Sequence, residues 1–172
     1  QFKYSDRLKN IQNLDEELLS RFDSCLLLAL LLVDKSDNYE YFCHKYKTSN
    51  ITKDRLKNIS KNFDNLKSIK FFSEKNIKKK IYFSNKTYVK DLIVFSICVN
   101  KKINNQDTKK LINYIHYCEM PKFPISGDYL KKYGYKTGKL LGKKLKSLEE
   151  KWIENNFMID EEEIKKSLDK FK

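Results

Sequence analysis

Between Asp15 and Val33 the apolar residues Leu18, Leu19, Phe22, Leu26, Leu30 and Val33 recur at helical spacing, and Leu27, Leu28, Leu31 and Leu32 then fill the remaining sides. This pattern predicts one helix at the centre of the molecule. The aromatic and polar stretch from Asp37 to Tyr46 predicts a second, short helix packed on it. Ser49, Asn50 or Thr52 can cap a third, basic helix that turns Leu56, Ile59 and Phe63 inward. Between Asn65 and Phe83, apolar residues are embedded among lysines, and the run Lys78, Lys79, Lys80 reads as a solvated face. Asn85 or Thr87 can start a helix through Leu92, Ile93, Phe95, Ile97 and Val99; Asn105 or Asp107 can start one through Leu111, Ile112 and Ile115, closed by Pro121.

After Pro121 the texture changes. Ser126 or Asp128 can cap a short helix that Gly134 ends, and Thr137 can cap a long amphipathic helix through Leu141, Leu145, Leu148 and Trp152. Gly138 and Gly142, four apart, place two bare patches on one helical face, where a second helix or a nucleic-acid backbone can come close. Helix packing is the favoured explanation of the pair. A final helix from Asp160 onward reads as mostly exposed. Only four glycines and two prolines occur in 172 residues, so tight hairpins are scarce and the fold class is all-α. The expected organisation is a helical body over residues 1–120 and a small helix-hairpin-like tail over residues 121–172. Because the chain starts at Gln1 with residues that already look helical, it reads as a piece of a longer protein.

Charge narrows the partner. With 36 Lys and Arg against 23 Asp and Glu the formal net charge is +13, which suits RNA, DNA or an anionic surface, although lysine enrichment throughout the chain accounts for part of it. The most apolar run, from Cys25 to Val33, is about nine residues, short of the roughly 20 a bilayer crossing needs. No membrane partner is expected. Cys25, Cys43, Cys98 and Cys118 form no C-x-x-C pair and have no histidine at ligand spacing, which predicts reduced, buried thiols in a cytoplasmic protein and no metal site. His44 and His116 lack an orienting partner for acid-base work, so no catalytic residue is expected in this chain.

Binding candidates gather in the tail. Ser126 and the free N–H groups at helix starts, the small residues Gly138 and Gly142, and Lys136, Lys139 and Lys143 beside Tyr135 make a sequence-neutral phosphate site. Contacts of that kind hold a nucleic acid without reading its bases.

The same stretch carries a resemblance. Phe123, Pro124, Ile125, Ser126, Gly127 and Asp128, then Leu130, the turn Gly134 to Gly138, Leu141, Gly142 and Leu145, and finally Glu149, Glu150, Lys151 and Trp152 resemble the closing motif of bacterial tRNA nucleotidyltransferases (CCA-adding enzymes) and related poly(A) polymerases. Tyr129 intervenes where the family has an adjacent Asp-Leu pair, and Thr137 stands where the turn proline is usual. Ser49, Asn50 and the basic helix to Leu56 resemble a segment of the family's body. The resemblance implies an enzyme whose head holds Mg²⁺ on two carboxylates, whose neck selects CTP or ATP, and whose body and tail hold tRNA.

Neither the head's Gly-Ser followed by Asp-x-Asp nor the neck's Glu-Asp-x-x-Arg occurs in these residues. Glu161, Glu162 and Glu163 are no substitute, since neighbours on a helix point in different directions. The expectation is therefore an RNA-binding, catalytically inactive portion with no cofactor of its own, partnered by tRNA or another RNA and by a head and neck of the same protein. The competing expectation is a basic all-α scaffold or protein-interaction domain, read by a partner at Tyr133 or Trp152.

Overall fold

The computed structural model describes residues 2–100 and 105–168. Among these residues every regular element is helical, so the chain is all-α. It divides into two compact units, Gln1–Cys118 and Glu119–Lys172.

In the first unit a 3₁₀ segment, Ser5–Asn13, precedes α1 (Glu16–Leu19), α2 (Ser24–Leu32), α3 (Asn38–Lys45), α4 (Asn50–Asn62), α5 (Glu74–Phe83), α6 (Lys86–Val99) and α7 (Asn105–Tyr117). The single helix expected over Asp15 to Val33 is two. The Asp15 side chain accepts from Leu18 N–H, and the Asp23 side chain accepts from Leu26 N–H, so each carboxylate caps its own helix. A residue that caps one helix cannot sit in the interior of another, and the leucine pattern hid that break. Helix α7 ends at Tyr117, with Cys118 N–H still bonded to Tyr114 C=O, so Pro121 lies beyond the end and does not terminate it.

Helix α6 occupies the middle, packing on α2, α4, α5, α7 and the 3₁₀ segment. Every residue from Asp91 to Cys98 is buried. Helix α2, expected at the centre, packs on α6, α4, α3 and the 3₁₀ segment and leaves Leu27 exposed. Asn85 starts α6 by accepting from Tyr88 N–H, and Ser49 starts α4 by accepting from Thr52 N–H.

The second unit contains α8 (Gly127–Lys131), α9 (Lys139–Glu154) and α10 (Glu161–Leu168). Its core is Ile125, Leu130, Leu148, Ile164 and Leu168, flanked by Phe123, Tyr129, Tyr135, Leu141, Leu145 and Ile159. Ile164 and Leu168 turn one face of α10 into that core, while Glu162, Lys165 and Lys166 are exposed as expected. Trp152 is 2% exposed and packs between Phe123 and Phe157, with ring centroids 5.3 and 5.0 Å away. It holds the unit together and offers no surface to a partner protein.

Candidate nucleic-acid interface

Ser126 begins the site. Its side chain accepts from Tyr129 N–H at 3.2 Å and so starts α8. The helix ends in a paired closure: Tyr135 N–H reaches Leu130 C=O and Gly134 N–H reaches Lys131 C=O, with Gly134 at φ 88°. That bond pattern is a Schellman end, which requires a left-handed residue at this place and sets Tyr135 on Leu130 in the core. The chain leaves the turn with Lys136 and Thr137 exposed.

Thr137 does not cap α9. The cap position belongs to Gly138, at φ 144° and with no side chain to offer, so no side-chain acceptor covers the N–H groups of the helix's first turn. Gly138 is therefore not on the helical face with Gly142. A Cβ added at either would meet nothing within 4 Å, which rules out helix packing as the reason for the pair. The glycine that faces α9 is Gly127, whose Cβ would touch Leu141 Cδ2 at 3.4 Å.

A cleft of about 1030 Å³ opens on this turn, lined along the chain from Lys132 to Lys139 and then by Leu140, Lys143, Lys144, Ser147 and Leu168. It brings together Tyr135, Lys136, Gly138, Lys139 and Lys143 of the residues expected from sequence. Ser126 and Gly142 stand outside its lining: the first is engaged as a helix cap, the second is an open, exposed position on α9. Among the described residues no carboxylate lies within ion-pairing distance of Lys136, Lys139 or Lys143. Nearby, Lys131 is held by Asp128 at 2.9 Å. The uncovered helix start and the lysines have one electrostatic sense, and both favour an anion.

Sequence reasoning missed one residue of this cleft, Leu140, which is 74% exposed. Tyr133, expected from sequence only as a contact for a partner protein, also lines it, 37% exposed, with its ring tilted against Tyr129 at 5.2 Å. The signal for Leu140 was its place in the first turn of an amphipathic helix, off the stripe of Leu141, Leu145 and Leu148.

The cations of the first unit are arranged differently. Arg55 grips Asp91 through two bonds of 2.7 Å and Asp23 through a third of 2.5 Å. Hydrogen bonding to Asp91 raises the Arg55 pKa, while burial raises that of the Asp91 carboxyl against the pull of the guanidinium. Arg7 donates to the carbonyls of Leu30 and Val33 at the end of α2 and lies over the Tyr4 ring at 3.8 Å. Lys109 meets Asp15, and Lys86 donates to the His116 carbonyl. The run at Lys78 to Lys80 is not uniformly solvated, because Lys80 bonds Asn62 at 3.0 Å, lies 3.9 Å over the Phe71 ring, and has its pKa lowered by burial.

All four cysteines are buried and unbridged. Burial pushes the Cys25 thiol up to about 11 and the Cys98 thiol up to about 12, far from the thiolate a nucleophile needs. Among the described residues no group of three or more His, Cys, Asp or Glu side chains is placed to hold a metal ion. Among them, too, no helix is long and apolar enough to cross a membrane.

No family model matches the chain. A stretch of 63 residues, 37% of the chain, is 32% identical to CCA tRNA nucleotidyltransferase 1, mitochondrial, of Danio rerio. Part of the chain is similar to a CCA-adding enzyme. The matched stretch spans 15% of that protein's length.

Proposed function

We propose that this chain is the C-terminal body and tail of a tRNA nucleotidyltransferase or poly(A) polymerase-like enzyme, and that it holds tRNA while the 3′ end is extended elsewhere in the parent protein. The observation that carries the RNA reading is the convergence of Lys136, Lys139 and Lys143 on one cleft at the uncapped start of α9. Supporting it is the partial similarity to an enzyme whose name specifies tRNA. Phosphates enter the cleft and meet the lysine ammonium groups together with the first N–H groups of the helix, a mode that positions RNA without reading sequence. On this reading Mg²⁺ and CTP or ATP belong to a catalytic head and neck, the protein works in the cytoplasm, and the chain by itself transfers no nucleotide.

The test is tRNA binding to the 172-residue chain across a salt series, for the native sequence and for the triple variant Lys136→Ala, Lys139→Ala, Lys143→Ala. Binding should weaken steeply with salt, and the variant's log–log salt slope should be shallower by about three. Unchanged affinity and slope in a folded triple variant would overturn the site.

A further inference from the structure

The lysines of the cleft account for phosphate, but not for its apolar part. Leu140 projects 74% exposed from the first turn of α9, and Tyr133 lines the same cleft while still 37% exposed. Tyr129 backs Tyr133, with ring centroids 5.2 Å apart and hydroxyls 3.3 Å apart, so the ring is held in place. The stems of Lys136, Lys139 and Lys143 add apolar length around them. A surface made only to hold a duplex backbone gains nothing from an exposed leucine and tyrosine, because a stacked duplex hides its base faces and presents phosphates and sugars.

We infer that this cleft takes an unpaired nucleotide of an RNA strand, its base and ribose against Leu140 and Tyr133 and its flanking phosphates on Lys136, Lys139 and Lys143. The inference rests on the RNA reading above and deepens it from phosphate contact to a strand class. An unpaired base has a bare π-face, which is sequence-tolerant and stacks on aromatic and aliphatic side chains. Three lysines of the lining, Lys136, Lys139 and Lys143, meet no described carboxylate, which matches a polyanion better than an apolar protein segment. At about 1030 Å³ the cleft lies at the upper end of ligand sites, roughly 300–1,000 Å³, enough for a nucleotide and its neighbours.

The experiment uses the 172-residue chain and three labelled probes: a short single-stranded RNA, a blunt duplex of the same sequence, and the same strand with its central nucleotides abasic. Leu140→Ser and Tyr133→Ala should each weaken the intact single strand about tenfold and leave the duplex, the abasic strand and the salt slope unchanged. Tyr133→Phe, which keeps the ring, should bind as the native chain does. Equal loss on all three probes, no loss on any, or displacement of the single strand by an acidic leucine-rich peptide at lower concentration than by unlabelled RNA would each overturn the inference. Leu140→Ser removes an exposed side chain and leaves the core of the unit intact, so its result stands even if Tyr133→Ala disturbs Tyr129. If the lysine triple variant weakens binding and Leu140→Ser does not, this inference alone fails. If neither does, the RNA reading fails with it.

Discussion

The two units spend similar residues in opposite ways. In Gln1–Cys118 several basic groups are used internally: Arg55 on Asp91 and Asp23, Arg7 on the last carbonyls of α2, Lys109 on Asp15, Lys86 on the end of α7. In Glu119–Lys172 the lysines of the α8–α9 turn stand around a cleft, and Lys136, Lys139 and Lys143 meet no described carboxylate. A formal net charge of +13 is therefore a poor measure of binding surface. Cations buried beside carboxylates hold helices together, and only those without such partners remain to attract a polyanion.

The largest expected effect tests the internal use of charge. Asp91→Ala removes the buried partner of Arg55, whose side chain is 13% exposed beside an Asp91 side chain of 5%, and leaves a guanidinium with only half-exposed Asp23. The cost should be about 3–5 kcal/mol. The single tryptophan, Trp152, lies in the second unit, so its fluorescence in a urea titration should stay close to native while the far-ultraviolet helical signal of the first unit is lost earlier. A variant of native stability would mean that the pair carries no such load.

The glycines of the turn provide a middle-sized test within the second unit. Gly138→Ala forces a side chain to φ 144° and should cost roughly 1–3 kcal/mol, read by Trp152 fluorescence. Gly142→Ala sits in a helix with open space around its Cβ and should stabilise the unit by up to about 1 kcal/mol. If Gly142→Ala destabilised the unit as much as Gly138→Ala, the glycine pair would be a packing device after all.

The smallest effect is on pH. At Asp23 and Asp34 burial pushes the carboxyl pKa upward, but hydrogen bonds, from Arg55 and Leu26 N–H to the first and from Ser36 and Tyr4 to the second, outweigh it and leave both lowered. A carboxylate depressed in the folded state stabilises above its unfolded value, about 3.9, and that contribution is lost as pH falls through the lower folded value. Asp91, raised by burial, works in the opposite sense and partly offsets this. The Asp23 and Asp34 contributions should still be lost below about pH 4, whereas the lowered carboxylate of the second unit, Asp128, is exposed and contributes little. Acid titrations followed by circular dichroism and by Trp152 fluorescence would separate the two, and coincident curves would count against the difference.

How much of this was readable beforehand depended on range. Ser49, Asn85 and Ser126 are caps as their positions suggest, since each reaches an N–H three residues on. Gly134 ends α8 for the same local reason. The split between α1 and α2 was harder, because six apolar residues at helical spacing, with four leucines filling the other sides, outweighed one aspartate, Asp23, whose second oxygen is held by Arg55 from α4. Asp91 gave a faint signal, a lone carboxylate at the head of an apolar run, but its partner is 36 positions away.

The sequence alone determined the all-α class, most helix starts, and the lysine-rich turn, because helix periodicity, capping and composition act over a few residues. Tertiary structure decided which cations remain uncovered, that Gly138 is a cap and not part of a packing face, and that Leu140 and Tyr133 share a cleft with three of those lysines. Those outcomes depend on which distant side chains arrive beside each group, and no local pattern encodes that.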